Sequence, residues 1–188
     1  KALAHYGGTV AVSAYTIAGY LLTIYYFAVE GVANGAQPLI SRFYGEERAY
    51  STRYVTRLMV YVGLGLGIII TALILIFPEF FTSWFTDDPE LKSVTAYALR
   101  LHLAVLFLDG LFVTATMFFQ AIGEGQKALV ISIGNLLLQV PFLYILPKYW
   151  GLDGVWLTMP IATVLLAIPV AYMFYHRYHR ITDAEFSE

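Results

Sequence analysis

The 188 residues are 59% hydrophobic and 13% charged, with a mean hydropathy of +0.68 and a net charge of −2. A soluble domain is nearer a quarter charged, and this balance gives no electrostatic case for a nucleic-acid partner. There are no cysteines, which excludes a disulfide framework, a Cys-ligated metal site and thiol catalysis.

The charges are segregated along the chain. No Asp, Glu, Lys or Arg occurs in residues 58–78, 128–147 or 154–176. Each run reaches the roughly 18–20 apolar residues that cross a bilayer. Two more stretches of similar length are each interrupted by one acid, Glu30 and Asp109. Backbone polar groups cannot go unpaired in lipid, so spans of this length must be helices. The expected fold is therefore all-α, a polytopic integral membrane helical bundle with five spans at about 11–40, 58–78, 91–122, 128–146 and 154–175. Residues 1–188 form one partial transmembrane lobe on this reading. The chain starts at Lys1 with a short polar segment and no signal-peptide n-region, and it is expected to be a piece of a longer membrane protein.

In chain order, the first span carries a polar stripe. Thr16, Thr23, Tyr26, Glu30, Asn34, Gln37 and Ser41 share one helix face at about 100° per residue. The following connection, 42–57, is the most basic, with Arg42, Arg48, Arg53 and Arg57. The second span has few polar groups, and its Gly63 and Gly67 form a GxxxG that permits close helix contact. In the acidic, aromatic connection after it, Asp88 is expected to cap the third helix with Pro89 in first position. On the third span His102, Asp109, Thr116 and Gln120 stack, and on the fourth Ser132, Asn135 and Gln139. A tight turn at 123–127 and an interfacial connection with Tyr149 and Trp150 join the last spans. Prolines 38, 141, 160 and 169 are expected to bend or break their helices.

Alternate connections share a side of the membrane. One side collects Arg42, Arg48, Arg53, Arg57, Lys127, Arg177 and Arg180; the other has Lys1, Lys92 and Lys148, with Arg100 a further candidate, among the acids Glu79, Asp87, Asp88, Glu90 and Asp153. The positive-inside rule makes the first side, with the C-terminus, cytoplasmic.

Polar stripes turn away from lipid, so spans one, three and four should face a shared cavity or another lobe. Tyr26, Asn34, Gln37, His102, Thr116, Gln120, Asn135 and Gln139 are the expected cavity-lining residues. Glu30 and Asp109 are the candidates for binding a coupling cation or a substrate, because a carboxylate in hydrocarbon is expensive and usually marks an ion or substrate pathway. The alternatives are structural. Glu30 can snorkel or bond a neighbouring helix, and Asp109 can pair with His102 or a Tyr. His176 and His179 form an HxxH, for which an interfacial tail is favoured over a metal pair. Tyr25, Tyr26, Phe27, Phe118, Phe119 and Phe142 could line a site for aromatic cations, with packing or belt roles favoured. Glycines 63, 65 and 67 lack the strand and Lys of a phosphate loop, and no nucleophile–base set points to an enzyme.

Several segments together resemble the C-terminal lobe of the multidrug and toxic compound extrusion (MATE) transporters. The most specific, Gly31-Val-Ala-Asn-Gly-Ala-Gln-Pro-Leu-Ile-Ser-Arg-Phe-Tyr-Gly45, is similar to that family's GxxxGxQPLIxxxxG signature. Tyr6–Tyr15, Phe85–Leu91, Gln120–Lys127 and Pro147–Trp156 match in order and spacing, so the likeness covers nearly the whole chain. The resemblance implies the last five of twelve helices in a protein of two pseudo-symmetric six-helix lobes, with the N-terminal lobe and the seventh helix absent. It also implies export of cationic and amphipathic compounds in exchange for H+ or Na+, with no other cofactor. Some branches of the family carry a coupling Asp just after the position of Gly110, where this chain has Leu111. Many carry an Arg on the eleventh helix where this chain has Gly134 and Asn135.

The expected function is thus secondary active efflux by alternating access in a bacterial inner membrane. The expected partners are the lipid bilayer, the missing lobe and small cationic organic substrates. A buried carboxylate would hold either a coupling cation or the cationic substrate, never both. The alternatives are a lipid-linked saccharide flippase, which would prefer a basic cavity for pyrophosphate, and a scaffold subunit whose acids are permanently paired.

Overall fold

The computed structural model describes residues 2–183, with side chains from residue 7 onward. Lys1, assigned above to one set of connections, lies outside them. The elements are all helical: α1 (Ala2–Gly45), α2 (Ala49–Ile76), α3 (Pro78–Thr82), α4 (Pro89–His102), a 3-10 turn (Leu106–Leu108), α5 (Asp109–Ala121) and α6 (Gly125–Arg180).

Helices α1 and α2 pack along matched stripes. Ala11, Ala14, Ala18, Leu21, Tyr25, Val29, Ala33 and Ile40 form the buried face of α1. On α2 the buried positions are Ala49, Thr52, Thr56, Met59, Gly63, Gly67, Thr71 and Ile74, each three or four residues from the next. That spacing keeps one seam toward the neighbours. Thr52 and Thr56 can be buried because their hydroxyls donate to the carbonyls of Arg48 and Thr52 at 2.9 and 2.8 Å. Gly63 is required by close approach, since a Cβ there would stand 2.9 Å from Thr114 Cγ2 on α5. Gly63→Val should therefore overpack the α2–α5 seam and destabilise the lobe by about 1–3 kcal/mol. The check is thermal unfolding of the full-length protein in detergent. An unchanged midpoint would mean that the seam is looser than this.

The helices extend beyond the apolar windows. The expected basic connection 42–57 is mostly helix, and only Glu46–Arg48 turns, with Glu47 at φ 58. Arg42 pairs with Glu46 at 2.7 Å, so charged residues continue α1 past the apolar segment. Asp88 caps α4 as expected, accepting from the Glu90 N–H at 2.9 Å, with Pro89 in the first turn.

The expected third span is not one straight helix. It breaks after His102, and the two parts, Pro89–His102 and Leu106–Ala121, are bent by 46°. No proline or glycine marks the break. Leu103 and Val105 leave helical geometry there, and the α5 start is pinned at Gly110, where a Cβ would lie 3.1 Å from the Tyr25 hydroxyl.

Gly125–Arg180 is a single run of 56 helical residues. A straight helix of that length would measure about 84 Å at 1.5 Å per residue, far more than a bilayer. It turns at Gly151, which has φ 56. A Cβ on Gly154 would collide with the Leu146 carbonyl, Gly134 approaches Leu166, and Arg177 bonds Glu124. These pairings centre on about residue 150, so the run is two antiparallel limbs. They contain the stretches 128–146 and 154–175 expected as the last two spans. The prolines within α1 and α6 do not break them; the residues with non-helical angles inside the two runs are Gly8 and Gly151.

One end of the bundle gathers the basic residues. Arg177, near the end of α6, donates to Glu124 in the α5–α6 turn and to the Tyr44 hydroxyl of α1 at 2.8 Å. Lys127 stands 2.6 Å from the other Glu124 oxygen. Burial alone would push the Glu124 carboxyl up, but hydrogen bonds and charges from Lys127 and Arg177 outweigh it and hold it below its usual range. The sign follows directly: stability from this latch is full above the ordinary carboxylate pKa of about 4.3 and is lost as pH falls through the lower folded value. Glu124→Gln should lower stability at neutral pH by about 1.5–3 kcal/mol and flatten the acid limb of a melting-temperature profile. A variant with the wild-type acid limb would contradict this.

Large apolar side chains remain outside, among them Phe27, Ile69, Ile76, Leu136, Leu137 and Ile168. Such a surface is untenable in water and suits lipid.

Candidate functional site

Asp109 opens α5, and its carboxylate is 2% exposed. The helix start carries a partial positive charge that favours an acid at this position. Two neutral hydroxyls complete its surroundings. Tyr26 of α1 donates to Oδ2 at 2.7 Å, and Thr163 of the second α6 limb donates to Oδ1 at 3.3 Å. Three elements distant in sequence therefore meet on one carboxyl group. Among the described residues no Lys, Arg or His forms an ion pair with it. A buried carboxyl group with hydrogen bonds but no countercharge is expensive in a membrane protein.

Asp109 also faces a cleft of about 280 Å³. Tyr26 and Glu30 of α1, Thr116 of α5, and Ser132 and Asn135 of the first α6 limb provide its polar wall; Phe112, Val113, Met117 and Ile131 provide the apolar one. The two acids share this space with no Lys or Arg in its lining. Glu30 is one helical turn beyond Tyr26 on the same face of α1. Its side chain is exposed, not enclosed within the lobe. The reason is the α1 packing stripe: Tyr25, Val29 and Ala33 turn inward, which turns Glu30 to the open side.

Of the other expected cavity residues, Gln139 donates to Asn135 at 3.0 Å and so orients an amide at the cleft wall. Gln37 donates to Gln120 across α1 and α5 at 3.4 Å, outside the cleft lining, and Asn34 is exposed on the same α1 face. His102 lies elsewhere. The helix break removes it from the Asp109 stack, and its Nδ1–H donates to the Trp156 carbonyl at 3.1 Å. The Tyr15 ring covers it at 5.6 Å. The tyrosine alternative weighed for Asp109 is thus the arrangement found, and the His102 pair is not. Tyr25, Phe118 and Phe119 are core residues, leaving Tyr26 as the aromatic of that group in the cleft lining. His176 and His179 are exposed beside Tyr172 and Tyr175, and no metal-binding cluster occurs among the described residues.

Thr163 is the site residue that sequence reading missed. Threonines inside apolar helices commonly bond their own i−4 carbonyl, as Thr158 does to Gly154. Nothing local distinguishes the one that reaches across to an acid.

Comparison with known proteins accords with this architecture. The chain is 24% identical over 175 residues to the multidrug export protein MepA of Staphylococcus haemolyticus, covering 93% of this chain and 38% of that protein. To MepA of Staphylococcus aureus strain N315 it is 26% identical over 182 residues, covering 96% and 40%. A solved multidrug resistance MATE family transporter of the MOP superfamily, in an outward-facing conformation, superposes with a TM-score of 0.86 at 25% identity, covering 96% of this chain and 41% of that one. The chain spans about two fifths of the length of the curated relatives it matches. The MatE family model matches residues 2–145. With that match over most of its length, the chain belongs to the MatE family, whose members are transporters and not enzymes.

Proposed function

We propose that this chain is the larger part of the C-terminal lobe of a secondary active efflux transporter that exports cationic or amphipathic compounds by antiport with H+ or Na+. The observation that carries this reading is the buried, countercharge-free Asp109 carboxylate at the wall of a cleft that also holds Glu30. A proton or sodium ion reaching Asp109 neutralises it and removes the attraction for a cationic substrate. Loss of that ion restores the charge and the affinity. Tyr26 links the two states: its hydroxyl bonds Asp109, while its ring belongs to the cleft wall. Asn135, Ser132 and Thr116 offer neutral hydrogen bonds that orient a substrate without adding charge. Asn34, Gln37 and Gln120 extend the polar surface toward the basic end and Gln139 extends it one turn the other way, and the N-terminal lobe of the same protein would complete the cavity. Alternating access would then reorient the two lobes around this site.

The gathering of Arg42, Arg53, Lys127, Arg177 and Arg180 at one end supports a multi-pass protein of the bacterial cell membrane with that end and the C-terminus cytoplasmic. The flippase alternative is disfavoured because the cleft lining holds two acids and no base for a pyrophosphate. The scaffold alternative is disfavoured because no fixed cation pairs with Asp109 among the described residues. The test is flux. The full-length protein in liposomes should expel a lipophilic organic cation when a proton or sodium gradient is imposed, and should dissipate that gradient as it does so. No flux under either gradient would return the chain to the scaffold reading.

A further inference from the structure

A second site lies at the basic end, where the start of α2 meets the last turns of α6. Tyr178 fixes the junction: its hydroxyl donates to the Arg53 carbonyl at 3.3 Å, and its ring lies 5.2 Å from the Arg53 guanidinium carbon. Arg57 follows one turn later on the same α2 face. Two clefts share Arg53, Arg57 and Tyr178 in their walls. One, of about 430 Å³, opens past the helix ends and includes Asp183. The other, of about 350 Å³, runs the opposite way between Val60 and Phe174, with His179 also in its wall. Among the described residues two guanidiniums thus face one carboxylate, and neither arginine is in an ion pair.

The position along the membrane selects the ligand. The charge-free run of α2 begins at Leu58, directly after Arg57. The junction therefore straddles the bilayer edge, with its charge at headgroup depth and its apolar cleft pointing into hydrocarbon. A free anion would use only the first half of this arrangement, and a neutral lipid only the second. We propose that the junction binds an anionic glycerophospholipid of the surrounding membrane, its phosphate between Arg53 and Arg57 and an acyl chain along Val60 and Phe174. Basic pockets between spanning helices recognise lipid phosphates by the same combination of charge and depth. The site shares no residue with the Asp109 cleft and does not depend on the export reading.

The experiment uses the full-length protein carrying this chain, purified in an uncharged detergent. Native mass spectrometry and thermal unfolding are followed during titration with phosphatidylglycerol, phosphatidylcholine or inorganic phosphate. Phosphatidylglycerol should bind and raise the melting temperature, phosphatidylcholine should bind weakly, and phosphate should do neither. Arg53→Gln with Arg57→Gln should weaken phosphatidylglycerol binding about thirty-fold, the loss of two basic contacts at the membrane surface, whereas the Lys pair should keep most of it. If the Gln pair does not fold, Arg57→Gln alone, at an exposed position, should weaken binding about five-fold. Unchanged binding in the Gln variants, equal binding of phosphatidylcholine, or stabilisation by phosphate alone would each overturn the proposal. So would a wild type that binds no lipid because another part of the protein covers the groove.

Discussion

Asp109→Asn is expected to abolish coupled efflux and leave the lobe folded. The substitution keeps the size of the side chain and an oxygen to accept the Tyr26 hydroxyl, while the new amide faces Thr163, whose hydroxyl can accept as well as donate. Folding should therefore lose about 1 kcal/mol or less. Function should lose the one acidic side chain that, among the described residues, is buried at the cleft. Couplings between bound ligands run to about 1–3 kcal/mol, or roughly 5- to 150-fold in affinity. Efflux driven by an ion gradient should fall by at least the lower end of that range, and the gradient should no longer raise the rate. Glu30→Gln should act more mildly, because Glu30 is exposed and its charge is screened. The measurement is initial efflux rate against gradient size in proteoliposomes, with size-exclusion profiles to confirm that both variants fold. Wild-type coupling in Asp109→Asn would remove this residue from the transport cycle.

Trp156→Ala should have the largest effect on stability. Trp156 is 1% exposed and begins the second α6 limb against Ala11, Ala14 and Ala98. Its carbonyl receives the His102 Nδ1–H, and the His102 and Trp156 rings meet edge to face at 5.8 Å. This cluster joins α1, α4 and α6 at the end of the lobe away from the basic latch. Truncating a buried Trp leaves a cavity that costs about 3–5 kcal/mol, and here it also loosens the α4 end from which the broken span continues to Asp109. Thermal unfolding of the full-length protein should show a large fall in midpoint for Ala and a smaller one for Phe. Equal midpoints for Ala and wild type would mean that α6 is held by its lipid-facing contacts instead.

How much was visible in the residues depended on the range of the interaction that decides each feature. The α2 seam was legible because Gly63 and Gly67 announce close packing by their own size. The Asp88 cap was legible because its chemistry is complete within two residues. The long helices were legible from their apolar runs, but their ends were not: Arg42, Glu46 and Arg53 favour helix as readily as loop. The break after His102 had no local signal, and the close approach of Gly110 to Tyr25 just beyond it involves another helix. That one bend separated His102 from Asp109 and made the four-residue stack read from periodicity incorrect. Glu30 looked buried because its neighbours in sequence are apolar, yet the helix face decides, and Glu30 lies off the packed stripe, at the open side of the cleft. Asp109 stood out as a lone acid, but Tyr26 is 83 residues away and Thr163 is 54, so its partners emerge only when the chain is folded.

The central claim is that the cation on Asp109 and the cationic substrate exclude one another. It is tested most directly by measuring ion release on substrate binding, with the full-length protein in weakly buffered, sodium-controlled detergent solution. Each organic cation bound should release one proton or one sodium ion from the wild type and none from Asp109→Asn. Substrate binding without ion release in the wild type, or the same release in the variant, would contradict it.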